Sequence, residues 1–216
     1  MSYLLDKIIT VPMVLIALMF HELAHGFVST KLGDPTPRMS GRLSFNPLEH
    51  LDPVGTLLMI FTGFGWAKPV PVNPGYYRDP KKGMALTALA GPLANFALAA
   101  AALIIYGLVY VVYIKTGIFS ESISSITYFI MMFCQLNLCF MVFNFIPIPP
   151  LDGSRVLGVF LSNRAYFKLQ QYERYSFMLI IALSALGVFD RIIGTGVGVI
   201  FYNMMRLLEK AVMMVI

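Results

Sequence analysis

From Ile8 onward the chain alternates between long apolar runs and shorter polar intervals. Ile8–Thr30 is apolar but for two histidines and one glutamate, Met84–Ile114 holds 31 residues without a formal charge, and Ser122–Leu151 holds 30. A bilayer-spanning helix needs about 20 such residues, so each run predicts a transmembrane helix. Tyr175–Phe189 and Ile192–Leu208 are shorter and are parted by Asp190 and Arg191. They predict two further spans, or one span and an interfacial helix. Val54–Trp66, "VGTLLMIFTGFGW", has 13 residues and three glycines. That is too short to cross and fits a re-entrant or surface-lying segment, possible at membrane depth only where protein or a watery cavity satisfies its backbone. The expected fold is therefore an all-α polytopic membrane protein of about five transmembrane helices. A short re-entrant or β-like segment is expected between the first two long helices. One domain is expected over residues 1–216, with the core roughly at 8–161 and the C-terminal helices roughly at 169–210.

The polar intervals carry their own instructions. Within Lys31–Pro53, "GDPTPRMSGRLSFNP" reads as ordered turns, with "GRLSF" a candidate short strand. "KPVPVNP", Lys68–Pro74, is expected to be extended, because proline at that density excludes helix. The start of the chain lacks a basic region followed by a small-residue cleavage site, so the first helix is not expected to be a removable signal. No internal repeat of the transporter type is visible.

Composition agrees with the membrane reading: 58% of residues are hydrophobic and 12% charged, where a soluble domain has about a quarter charged. The net charge of +5 invites a nucleic-acid partner until its distribution is followed. With five spans and an outside N-terminus, thirteen Lys and Arg fall inside, at 31–83, 147–174 and the C-terminal end; only Lys7, Lys115 and Arg191 fall outside. That is the positive-inside rule, and it removes the reason to invoke nucleic acid. Cys134 and Cys139 lie five apart in an apolar helix, on different faces, and are expected to be thiols rather than a disulfide or metal pair.

Against this background "FHELAH", Phe20–His25, is costly. An ionisable side chain in hydrocarbon costs at least ~2.5 kcal/mol and so marks function. His21 and His25 are four apart, which on a helix puts both imidazoles on one face, about one turn apart, within reach of one zinc ion. Glu22 points toward the same rim and could take a proton from water held there. A satisfied core histidine would explain one such residue, not three. Two protein ligands are too few for a catalytic zinc, which has three plus water. The outstanding third candidate is Asp152, at the end of "NFIPIPPLDG", whose prolines must break the helix and whose Asp-Gly delivers a carboxylate on a turn. As a purely structural residue Asp152 would cap the next helix. His50, in "NPLEHLDPVGT", is the alternative third ligand, a group behind the ligands, or a hydrogen-bonding loop residue. From His21 to Thr30 is nine residues, roughly 13 Å of helix, so the site would lie below the inner surface.

"HELAH" in the first core helix, "AGPLAN" (Ala90–Asn95) in the second and "NFIPIPPLDG" in the third together resemble the site-2 protease family of intramembrane zinc metalloproteases. The compact bacterial branch also has counterparts of "GDPTPRMSGRLSFNPLEHLDPVGT" and "GWAKPVPVNP", and the resemblance covers roughly residues 15 to 160. It implies a three-helix catalytic core, one Zn2+ per chain held by His21, His25 and Asp152, and Glu22 as catalytic acid/base. Asn144 matches the family asparagine assigned to substrate or oxyanion contact, although it would also serve as a helix C-cap. Asn95 could approach the same site, but the small residues around it favour helix packing. No PDZ or CBS module is expected.

The implied reaction is hydrolysis of peptide bonds in or near transmembrane segments of other membrane proteins, including remnant signal peptides, in the cytoplasmic membrane. A substrate helix hides its peptide bonds, so "GRLSF" or "KPVPVNP" is expected to hold an unwound segment as an added strand. The rivals are weaker on residues alone. A prenyl-protein endopeptidase would need a glutamate ligand where none is suitably placed. A membrane desaturase would need many more than three histidines, and a transporter would need acids relayed across several helices. A pseudoprotease that binds membrane segments without cutting would be free to lose any of His21, Glu22, His25 and Asp152, yet all four stand.

Overall fold

A computed structural model describes residues 3–62, 65, 67–118 and 120–216. The chain is helical throughout its apolar runs: α1 (Tyr3–Lys31), α2 (Thr36–Met39), α3 (Pro53–Thr62), α4 (Pro80–Thr116), α5 (Glu121–Phe145), α6 (Asp152–Gly158), α7 (Asn163–Gln171), α8 (Glu173–Ala185) and α9 (Val188–Met213). Three of them, α1 from Thr10, α4 and α5, are long and apolar enough to cross a membrane. These are the three expected core helices. The two further spans expected over 175–208 are not confirmed: α8 and α9 meet the condition only as a pair, bent by 77° at the break around Gly187. Gly187 has φ +66°, a left-handed conformation that glycine adopts without cost. The expected re-entrant segment overlaps α3 but ends in Gly63, Phe64 and Trp66, which lie outside the described residues.

The helices form two compact units. The first comprises residues 1–94 and 144–177, the second 95–143 and 178–216. In the second unit Ala99, Ala102 and Leu103 of α4 pack with Cys134 and Leu138 of α5, and Val197, Phe201, Met204 and Leu208 of α9 close over them. Small residues set the spacing, as lipid-embedded helices require. A Cβ on Gly107 would meet Leu208 Cδ1 at 2.5 Å, and one on Gly196 would meet Val142 Cγ1 at 2.9 Å. Asn95, fully buried, donates through Nδ2 to Asn137 Oδ1 at 3.0 Å. Asn137 passes a bond on to the Phe133 carbonyl at 2.9 Å. Both cysteines are free thiols, Cys134 buried and Cys139 half-buried.

The first unit is built around α1. That helix ends in a Schellman motif: Gly33, at φ +102°, bonds back to the Thr30 carbonyl, and the Asp34 N–H to the Ser29 carbonyl at 3.1 Å. The turn folds Asp34 against the helix it has just left. Residues 42–44 are extended but form no strand; among the described residues the β-pairing is one isolated bridge, Leu51 to Ala67. The expectation of a short strand in "GRLSF" is corrected accordingly, and the reason is visible in the side chains. Arg42 donates to the carbonyls of Glu49, Lys68 and Pro69, and His50 Nε2 bonds the Ser44 carbonyl at 2.8 Å. Side chains take the bonds that a ladder would have made. Residues 68–73 form neither helix nor strand, as their prolines dictate, and Asn73 is extended. At the other end of the unit, Pro147, Pro149 and Pro150 end α5, and the chain turns back through a cis Pro149–Pro150 bond into α6. Gly153 lies so close to the Phe145 and Ile146 carbonyls that a Cβ would strike backbone.

Candidate metal centre

That return places Asp152, the first residue of α6, beside α1. Its Oδ2 lies 3.1 Å from His21 Nε2 and 3.3 Å from His25 Nε2, and these three side chains are all but sealed from solvent. The imidazoles meet edge to face, ring centroids 4.6 Å apart, as the four-residue spacing on one helix requires. The Thr87 carbonyl of α4 sits 2.7 Å from His25 Nδ1. A carbonyl can only accept, so Nδ1 carries the proton, and in the neutral ring Nε2 presents a lone pair. Asp152 Oδ2 is buried and faces both imidazole Nε2 atoms. A carboxylate and two imidazoles thus converge on one point from two elements, and the buried carboxylate calls for positive charge there. Donors about 2.0–2.2 Å from a tetrahedral zinc lie roughly 3.3 Å or slightly more from one another, close to the spacing observed. Two imidazoles and a carboxylate are zinc's ligand types, and the Thr87 bond is the outer contact that such histidines make. The residues fit the ion.

Among the described residues this is the one group of three or more His, Cys, Asp or Glu side chains able to share a metal. His50 stands outside it, buried in the loop with Nε2 on the Ser44 carbonyl and Nδ1 without a partner. Glu22 is half-buried on the adjoining part of α1, and its Oε2 accepts the Val70 N–H at 2.8 Å. Asn144, half-buried in the last turn of α5, belongs to the same compact unit as the cluster. Asn95 belongs to the other.

A family model, Peptidase family M50, matches residues 9–187, a stretch that takes in all of these positions. The chain belongs to that family. It is 36% identical over 175 residues to the Bacillus subtilis (strain 168) protein named "Putative zinc metalloprotease YwhC", covering 78% of this chain and 76% of that one. It is 24% identical over 189 residues to "Putative zinc metalloprotease Rip2" of Mycolicibacterium smegmatis (strain ATCC 700084 / mc(2)155), covering 85% and 69% respectively. No solved structure matches significantly.

Three parts of this M50 site escape sequence reasoning. Thr87 acts through its carbonyl and Val70 through its N–H, and backbone groups carry no residue-type signal. Gly91 is the third: a Cβ there would lie 2.5–2.6 Å from His21 Nε2 and Cε1 and from His25 Nε2. The glycine in "AGPLAN" had a signal, but small residues in an apolar helix read first as helix packing. Its absent side chain is the space the imidazoles fill.

Elsewhere in the unit, burial alone would push the Asp34 carboxyl up. Hydrogen bonds from the Asn73 N–H, Thr36 and Ser29 outweigh it and hold the group below the usual carboxylate range.

Proposed function

We propose that the chain is a zinc-dependent intramembrane endopeptidase that hydrolyses peptide bonds within or near transmembrane segments of membrane proteins. The observation that carries this reading is the convergence of one possible ligand atom each from His21, His25 and Asp152, the two histidines lying on a helix apolar enough to span a membrane. A zinc ion held there would acidify a water toward pKa ~7 and polarise the scissile carbonyl. Glu22 takes the proton from the attacking water and delivers it to the leaving amine. The Val70 N–H holds one Glu22 oxygen, leaving the other to turn toward that water. Asn144 donates to the oxygen that becomes negative in the transition state. The near-complete burial of these side chains would keep bulk water from a metal held there.

The protein lies in the cytoplasmic membrane with its N-terminus outside and its site toward the cytoplasmic face, an orientation supported by the seven Lys and Arg between positions 31 and 82 and the four between 155 and 174, which α1, α4 and α5 leave on one side. The tyrosines at the far end of α4 fit the opposite interface: Tyr106 and Tyr110 stack at 6.3 Å, with Tyr113 next to them. Its substrates are single transmembrane segments, anchored regulators or remnant signal peptides, unwound locally to expose the bond.

Purified protein in lipid vesicles, supplied with a model single-span peptide, tests the reading. Wild type is expected to cleave it, and Glu22→Gln to lose about 10²–10⁴-fold in rate while keeping its zinc. Cleavage by Glu22→Gln at the wild-type rate, or wild-type cleavage of soluble peptides only, overturns it.

A further inference from the structure

One buried cluster in the first unit has no part in the reaction above: Asp34, Ser29, Tyr77 and Thr87, each at most 5% exposed. Resting on the zinc-protease reading of the site, we propose that Asp34 is a positioning residue for both the metal ligands and the catalytic base. Its single carboxylate holds the row of hydroxyls that ends at Thr87, whose carbonyl meets His25, and the backbone segment whose Val70 N–H meets Glu22.

The first arm has a direction. Ser29 Oγ donates to Asp34 Oδ2 at 2.7 Å. With its proton committed to the carboxylate, Ser29 has only lone pairs left for the Tyr77 hydroxyl, 2.7 Å away, so Tyr77 donates to Ser29. Tyr77 in turn offers lone pairs to Thr87 Oγ1 at 3.1 Å, so Thr87 donates to Tyr77. Every hydroxyl proton in the row points toward Asp34, and the ordering comes from the carboxylate at its end. The same Thr87 presents its carbonyl to His25 Nδ1 at 2.7 Å, the bond that turns Nε2 toward the metal position. The row spans the end of α1, the loop before α4 and α4 itself. Tyr77 is seated where Gly83 leaves room, since a Cβ on Gly83 would strike its ring.

The second arm leaves from the same oxygen. Asp34 Oδ2 also accepts the Asn73 N–H at 2.7 Å, while Oδ1 takes the Thr36 N–H at 2.9 Å. Asn73 closes the stretch 68–73, whose Val70 N–H is the donor to Glu22 Oε2 at 2.8 Å. Arg42 holds the other end of the stretch through the Lys68 and Pro69 carbonyls. The stretch is thus held at both ends and at Val70, which suits it to fixing the base. An isosteric amide at position 34 would put a donor against a donor in at least one of these bonds.

The experiment uses detergent-purified protein with three readouts: zinc affinity by chelator competition, kcat and KM on a model single-span peptide, and thermal midpoint of the metal-free form. Tyr77→Phe is expected to weaken zinc affinity by about tenfold, the low end of the roughly 10–100-fold cost of losing a direct outer contact, because it loosens the Thr87 that makes that contact, and to recover kcat at saturating zinc. Asp34→Asn is expected to weaken zinc affinity similarly and to keep a lowered kcat at saturating zinc with KM unchanged, because Glu22 is affected too. Zinc affinity and kcat within twofold of wild type in both variants, with only the thermal midpoint lowered, would reduce the cluster to structural glue and overturn the proposal. If Asp34→Asn does not fold, Tyr77→Phe, which removes one oxygen and keeps the ring, decides by its own zinc affinity. Absence of zinc binding by wild type would remove the metal reading and this inference with it; zinc-binding wild type with unaltered variants removes the inference alone.

Discussion

The site depends on single atoms more than on side-chain bulk. Gly91 shows this most plainly, because the only feature it contributes is the lack of a Cβ within 2.5–2.6 Å of both imidazoles. Gly91→Ala would favour the helix by about 0.5–1 kcal/mol on backbone entropy alone. In this protein it is expected to displace His21 and His25 and to abolish stoichiometric zinc binding while helix content by circular dichroism is unchanged. Retained zinc at the wild-type level would mean that the imidazoles have another place to go. His21, Glu22, His25 and Asp152 were all visible as residues, since chemistry at four-residue spacing and an Asp-Gly after prolines carry type information. Gly91, Thr87 and Val70 were not, because one acts through an absence and the others through backbone. Asp34 hid for a third reason: "GD" after a helix reads as a turn, and its partners Ser29 and Asn73 lie 5 and 39 positions away.

At the scale of elements, the three long apolar helices followed directly from run length, whereas α8, with 13 residues, is too short to cross and α9 carries charged residues near both ends, so the two meet the condition only as a bent pair. Side chains decided against the strand in 41–45, through Arg42 and His50, and no local pattern announces that. The buried Asn95–Asn137 pair shows what the second long helix does beyond the site. It joins α4 to α5 within the second unit, where a polar pair in apolar surroundings acts as glue worth about 0.5–2 kcal/mol. Asn95→Ala is expected to lower thermal stability by that order and to leave zinc content and kcat as in wild type. A fall in kcat at full zinc occupancy and unchanged stability would instead give Asn95 a part in the reaction.

For the whole molecule, the account joins composition to chemistry. A chain with a mean hydropathy of +0.75 carries few charged groups, and the group able to share a metal is drawn from two stretches 127 residues apart, closed by a proline-broken return. Membership in family M50 fits that arrangement, in which His21, His25 and Asp152 would hold one zinc. Metal content of the detergent-purified protein, measured beside Asp152→Ala and Glu22→Gln, tests it most directly. The account predicts about one zinc per chain in wild type and in Glu22→Gln, and its loss from Asp152→Ala. Wild type without zinc after supplementation, or Asp152→Ala with as much zinc as wild type, would contradict it.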